Sequence, residues 1–379
     1  MNGHVLVVGA GIVGLSTAYW LTKRGVQVTL VEQGAIPNPI ASSADHHRLI
    51  RYPYGEAEGY ALRMHQAFAA WRALWADLPG AEGHYYAATG MLAMSQQAGD
   101  YTDRSVAVMD RLGIPYERIG PEDMTRRLPF LEPSNVGYAT LSEGGALMAN
   151  RILVALADWL RQAGAEVLEQ APVTSVEAAT GSVHLADGRI LSADRVIVAA
   201  GIATGRLLPE LGQRLVPYRT VIFYTSPPED LAEAYAAAPC WTDLGGDTDL
   251  WGMPAIGGLP MKLGNGALGR QDPEAASRRV KAEEVDQVRA NYALRFRGAE
   301  RFTIHWHQAN YWTEAPEGAF VLEPFDRALA VSACSGHGFK FGALSGRDVA
   351  DAVDGSLPVE AVALRMAGDL AAARAEADL

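Results

Sequence analysis

Four aliphatic residues, Val5-Leu6-Val7-Val8, break abruptly into Gly9-Ala10-Gly11-Ile12-Val13-Gly14. The aliphatic run reads as a buried parallel strand. Gly9 permits a tight turn, Gly11 lets the backbone approach a pyrophosphate, and Gly14 lets the next helix pack closely on the strand. The start of that helix offers unpaired N–H groups and partial positive charge to phosphates. Leu15, Ala18 and Leu21 give it an apolar face, Gly25 ends it, and Val26 to Val31 form a second strand. Glu32 follows at the spacing where an acid holds a ribose hydroxyl. This complete strand–turn–helix–strand–acid unit predicts dinucleotide binding, because an ordinary glycine-rich turn leaves Glu32 unexplained.

The chain of 379 residues has room for two domains. Its net charge of −12 argues against nucleic acid or an acidic membrane surface as a bulk partner. Cys240 and Cys334 lie far apart without metal-ligand spacing, which fits a reducing cytoplasm. The N-terminus lacks the basic region of a signal peptide, and glycines interrupt its apolar run. No stretch reaches the roughly 18 apolar residues of a membrane span.

Ala41 to Gly55 is too polar for a core strand, yet it gathers His46, His47, Arg48 and Arg51. The adjacent histidines have no partner at ligand spacing, so no metal is expected. Two readings stand: a solvated basic loop, or a loop that lays arginines against a cofactor and an anionic substrate group. Helices are predicted over Tyr60 to Leu78, Asp100 to Leu112, from Pro121, and over Ala149 to Gly164. Val196 to Gly201 reads as a second buried strand, returning to the nucleotide-binding sheet and ending in small residues. From Leu215 strands alternate with helices, which predicts an antiparallel sheet with helices on one side. Ala328 to Ala333 is a strand, Cys334 to Phe341 a turn, Gly342 to Val353 a helix, and Val359 to Leu379 one closing amphipathic helix. The fold class is therefore α/β, in part α+β. A discontinuous Rossmann-like domain (1–80, 146–213, 322–379) carries an inserted antiparallel-sheet substrate domain (81–145, 214–321).

The N-terminal unit, His47-Arg48-Leu49-Ile50-Arg51, Pro217-Tyr218-Arg219, Met261-Lys262-Leu263-Gly264 and Ser335-Gly336-His337-Gly338-Phe339-Lys340 occur in order. Together they resemble the monomeric sarcosine oxidase branch of the D-amino-acid-oxidase-like flavoproteins, which includes N-methyltryptophan oxidase. The resemblance spans nearly the whole chain. It implies FAD, hydride abstraction from the carbon beside a secondary amine, an imine product, and reoxidation by oxygen to hydrogen peroxide. It implies FAD contacts from Gly9, Gly11, Gly14, Glu32, Ser42, Arg48, Val173, Gly201, Gly336, His337, Gly338 and Lys340. Arg51 and Lys340 would clamp a substrate carboxylate, and Lys262 would assist oxygen by stabilising negative charge.

Departures from the branch are informative. Its flavin-tethering cysteine corresponds to Asn310, so non-covalent FAD is expected. Two substrate-bordering tyrosines correspond to Trp251 and Trp312, and a histidine to Gly266. Indole faces suit an amine larger or more apolar than sarcosine. Blander readings stay open: core positions for both tryptophans, an edge-strand solvent face for Lys262, a structural ion pair for Arg51, a surface loop for Lys340. At the level of function, a dehydrogenase using another electron acceptor, a flavin-containing binding protein and an NAD-linked enzyme are the rivals. Besides substrate and oxygen no partner is expected, and the chain should be a monomer or small homo-oligomer.

Overall fold

The computed structural model describes residues 3–245, 248–275 and 277–377. A six-stranded sheet runs in the order Val321–Phe325, Ala328–Ser332, Arg195–Val198, His4–Val8, Gln27–Val31, Glu166–Leu168. Its pairings are parallel except for the Val321–Phe325 edge. The aliphatic N-terminal run thus lies at the centre, with Val5, Leu6 and Val7 fully buried. The helix Ile12–Lys23 crosses from this strand to its neighbour and packs beside the helices Ala149–Gln162 and Gly342–Asp354. Strands drawn from both ends of the chain share one sheet.

A second, nine-stranded sheet includes Val216–Ser226, Met261–Asn265, Leu250–Met253, Cys240–Asp243, Met91–Ser95 and Thr303–Glu314. Side chains alternate across it, as a pleated strand requires. Val221, Phe223, Met261, Leu263, Leu250 and Trp241 face a core closed by the helices Pro121–Arg127 and Ala282–Ala293. The alternate residues Tyr218, Thr220, Ile222, Lys262, Trp251 and Thr242 line a cavity between the two sheets.

Several sequence expectations need correction. Arg48–Arg51 is a strand, not a loop; it pairs antiparallel with Gly144–Leu147. Two glycines make that partner look like a turn in sequence. They serve close approach instead: a Cβ at Gly145 would lie 2.1 Å from the Ala87 carbonyl oxygen. The C-terminal segment forms two helices, Val359–Met366 and Leu370–Ala377, separated at Gly368 with φ 79°; residues 378 and 379 lie outside the described residues. The Gly368 carbonyl packs on Gly59, where a Cβ would lie 1.9 Å from its oxygen.

A buried ion triad ties this end to the rest of the chain. Arg63 donates to Asp348 at 2.6 Å and to Glu376 at 2.8 Å, joining Glu58–Trp75, Gly342–Asp354 and Leu370–Ala377.

Candidate active site

A cavity of about 790 Å³ opens where the two sheets meet. At one end stands the glycine turn. Gly9 has φ 101° and its N–H donates to the Val31 carbonyl at 2.8 Å. A Cβ on Gly14 would lie 1.9 Å from the Gly9 carbonyl oxygen, so Gly14 is a packing residue beneath the cavity and not part of its wall. Gly11 caps the helix Ile12–Lys23 without a side-chain hydrogen bond, and no acid stands in the first turn. The helix dipole therefore meets no acid in its own first turn, which leaves its positive end suited to an anion. The Ile12 N–H donates to the Ser43 hydroxyl at 3.0 Å, drawing the 41–45 loop over the turn.

Glu32 is buried. Its carboxylate accepts the Ala10 N–H at 2.8 Å, the Gly34 N–H at 3.1 Å and the Asn38 amide at 2.7 Å. Each carboxylate oxygen has two lone pairs, so acceptor capacity remains for a hydroxyl. Val173, Gly201 (φ 56°), Gly11 and Ser42 complete this end of the cavity. A dinucleotide fits the glycine turn, the acid and the small residues.

At the other end, the strand Arg48–Arg51 presents Arg51 and the turn after Ala328–Ser332 presents Lys340, both buried. Arg51 donates to the Tyr101 hydroxyl at 3.1 Å and lies 4.8 Å from the Tyr54 ring centroid. Lys340 lies 5.6 Å from the same ring and donates to the His337 carbonyl at 3.2 Å. Among the described residues neither has a carboxylate within ion-pair distance. Burial, with the Arg51 charge behind it, holds the Lys340 ammonium well below its ordinary pKa. Buried cations are paired as a rule, so this pair is arranged for an anion.

Lys262 is fully buried on an interior strand, not on the solvent face of an edge. Its Nζ donates to the Asp45 carboxylate and, at 2.9 Å, to the His47 carbonyl. Burial drives its pKa down to about 7, with Asp45 pulling the other way. Burial opposes ionisation of Asp45 too, but Arg48 and Lys262 outweigh it and hold the carboxyl well below the usual carboxylate range.

Trp251 and Trp312 are half-buried in the cavity wall, and Trp251 also packs against the small cluster of Met91, Ala146, Cys240 and Met253. The Trp251 ring lies over Gly264, where a Cβ would come 2.0 Å from it. Trp312 stacks on Tyr218 with centroids 4.9 Å apart, donates to Glu314 at 2.7 Å, and covers Gly336. The position of Gly266 is taken by the Asp249 carboxylate, 1.7 Å from where a Cβ would stand.

Every sequence-predicted site residue except Gly14 borders this one cavity. Two of them turn elsewhere in detail. Arg48 is committed to Asp45 and to the Ser42 carbonyl at 2.7 Å. The His337 ring packs on Phe320 at 4.6 Å and engages the Gly318 carbonyl at 3.0 Å, while burial and then Lys340 push its pKa down to about 3. Sequence reasoning missed Asp45, Tyr54, Tyr101 and Asp249. Asp45, a lone acid in a basic stretch, was visible; Tyr101 and Asp249 reach the site only through tertiary packing. Cys334 also borders the cavity, and burial raises its thiol pKa, keeping it protonated. Among the described residues no cluster suits a metal, and no helix is long and apolar enough to cross a membrane.

Residues 4–352 match the family described as FAD dependent oxidoreductase, DAO. Among curated relatives, monomeric sarcosine oxidase of Bacillus sp. (strain NS-129) is 26% identical over 366 residues, 92% of this chain and 93% of the relative. N-methyl-L-tryptophan oxidase of Yersinia pestis (strain Pestoides F) is 25% identical over 378 residues, covering 97% and 99%. Among solved structures, L-proline dehydrogenase from P. horikoshii superposes with TM-score 0.81 at 19% identity, covering 100% of this chain and 98% of that one, which establishes a shared fold.

Proposed function

Because the chain belongs to the FAD dependent oxidoreductase family, we propose that it oxidises a secondary or N-substituted amino acid at a carbon beside the nitrogen, with non-covalent FAD and oxygen as final acceptor. Bound FAD supplies the hydride acceptor and returns the electrons to oxygen. The glycine turn, Glu32, Ser42, Val173, Gly201 and the 336–340 turn hold the dinucleotide. Residues 1–80, 146–213 and 322–379 form the cofactor domain, and 81–145 with 214–321 the substrate domain.

The observation that carries the reading is the buried pair Arg51 and Lys340 on the cavity wall, neither of which forms an ion pair among the described residues. A substrate carboxylate there makes charge-assisted hydrogen bonds, each worth about 1.5–3 kcal/mol, and fixes the amine in one place, so that orientation supplies rate. The indole faces of Trp251 and Trp312 favour a substrate larger than sarcosine, an N-methylated aromatic or a cyclic amino acid. Asn310 at the cavity wall and the protonated Cys334 thiol both support an untethered flavin. Lys262 places a cation in a desolvated site, where it stabilises charge developing on oxygen.

The test is anaerobic mixing of the purified yellow protein with N-methyltryptophan, proline, pipecolate and sarcosine. Bleaching followed by stoichiometric peroxide on admitting air is the expected result. Reduced flavin that persists for minutes in air would identify a dehydrogenase. No bleaching with any amine, or a colourless protein, would sink the proposal.

A further inference from the structure

Asp45 is a fully buried carboxylate with no place in the chemistry above. Its backbone is locked: the Asp45 N–H donates to the Asn150 side chain at 3.0 Å, and its carbonyl accepts the Asn150 N–H at 3.1 Å. Its side chain is saturated. Oδ1 accepts the His46 N–H at 2.7 Å and the Tyr224 hydroxyl; Oδ2 accepts from Arg48 and from Lys262. Tyr224 is itself clamped between Trp306, stacked at 4.3 Å, and His47, stacked at 5.9 Å.

Lys262 has three N–H donors. Asp45 and the His47 carbonyl take two of them. One remains, and the lysine borders the cavity with its Nζ 5.3 Å from the Trp251 ring centroid. A lysine in this much protein would ordinarily shed its proton, because burial disfavours the charged form. The nearest compensating charge is Asp45.

We propose that Asp45 is a positioning residue for the oxygen half of the reaction: acting through Lys262, it keeps that amine protonated and fixed, with one N–H left for the cavity. This rests on the reading of Lys262 given above. It predicts a charge state that survives into the neutral range only while the carboxylate is present. The charged and titratable groups facing Lys262 are Asp45, Arg48, His47 and Tyr224. His47 is held neutral, its pKa lowered to about 3 chiefly by burial.

The test uses FAD-loaded protein reduced photochemically, so no substrate need be known. Asp45→Asn keeps the size and an acceptor oxygen but removes the charge. Reoxidation in air-saturated buffer should slow at least tenfold at pH 7, and its fall with rising pH should shift acidward by a unit or more. A second readout involves no turnover: titration of the oxidised flavin's visible absorbance, with Lys262→Met supplying the baseline that lacks the lysine step. That step should move acidward in Asp45→Asn, recover partly in Asp45→Glu, and move alkaline in Tyr224→Phe, which leaves the carboxylate a stronger base. Reoxidation lowered equally at every pH, with an unmoved absorbance step, would overturn the proposal and reduce Asp45 to a structural counterion. Should Asp45→Asn fail to fold, Tyr224→Phe decides by the direction of its step. Should Lys262→Met reoxidise at the wild-type rate, the oxygen role of Lys262 fails, and an unshifted step in Asp45→Asn would then reject the charge control separately.

Discussion

Lys340→Met should make the substrate-free holoenzyme more stable and a poorer binder of carboxylates. Arg51 and Lys340 lie 4.8 and 5.6 Å from the Tyr54 ring centroid, so the two charges are at most about 10.4 Å apart. At an effective dielectric constant of about 20, their repulsion is then at least ~1.6 kcal/mol. Burial of the Lys340 charge adds a cost of its own. Unfolding entropy of about 2.1 cal/mol/K per residue gives ~0.8 kcal/mol/K for a chain this long, so relief of the repulsion alone should raise Tm by about 2 °C. The sign with pH follows from linkage. Unfolded, the lysine titrates near pH 10.4; folded, burial and then Arg51 hold it well below its ordinary value. Between those two values the folded protein binds fewer protons, so stability rises with pH. The Tm advantage of the variant should therefore be largest on the acid side, where the folded lysine is still charged, and shrink as pH rises toward 10. The same change should weaken acetate or benzoate, measured by flavin absorbance, about 10- to 150-fold, the equivalent of one lost charge-assisted hydrogen bond. A lower Tm together with unchanged carboxylate affinity would refute the reasoning.

Four further outcomes follow from the geometry. Gly14→Ala drives a methyl against the Gly9 carbonyl and should cut bound flavin to under about a tenth, read from the ratio of visible to ultraviolet absorbance. Arg63→Ala leaves Asp348 and Glu376 buried without their partner and should cost about 3–5 kcal/mol in denaturant unfolding. Turnover should carry opposed pH limbs: kcat/KM for the amine rises as the substrate loses its proton, while reoxidation falls as pH passes about 7, where Lys262 deprotonates. Stopped-flow measurement of the two half-reactions separates the limbs. Trp251→Ala should raise KM for N-methyltryptophan several-fold more than for sarcosine in steady-state assays.

The nucleotide-binding end was legible because every requirement there is local. A strand, a turn needing Gly9, a helix packed through Gly14 and an acid at the next strand end all fall within residues 5 to 32. Period-2 alternation likewise showed in Met261-Lys262-Leu263, where a polar residue between two apolar ones signals a strand with two different faces. The strand Arg48–Arg51 was not legible, since its polar residues are buried by a partner almost a hundred positions away, and that partner begins with two glycines. The break in the closing helix is itself local, since Gly368 at φ 79° closes Val359–Met366 with the Gly368 and Asp369 N–H groups; what the sequence hid is that its carbonyl packs on Gly59, about three hundred positions away.

Sequence by itself determined the cofactor-binding unit, the alternating classes of element and the residue types able to meet an anion and oxygen. Tertiary structure alone decided that Arg51 and Lys340 share one aromatic ring with no ion-pair partner among the described residues, that Asp45 meets Lys262 across 217 positions, and that an aspartate fills the space above Gly266. The reason is physical: periodicity and turn chemistry act over a few residues, whereas charge pairing and cavity shape depend on which distant surfaces burial forces together.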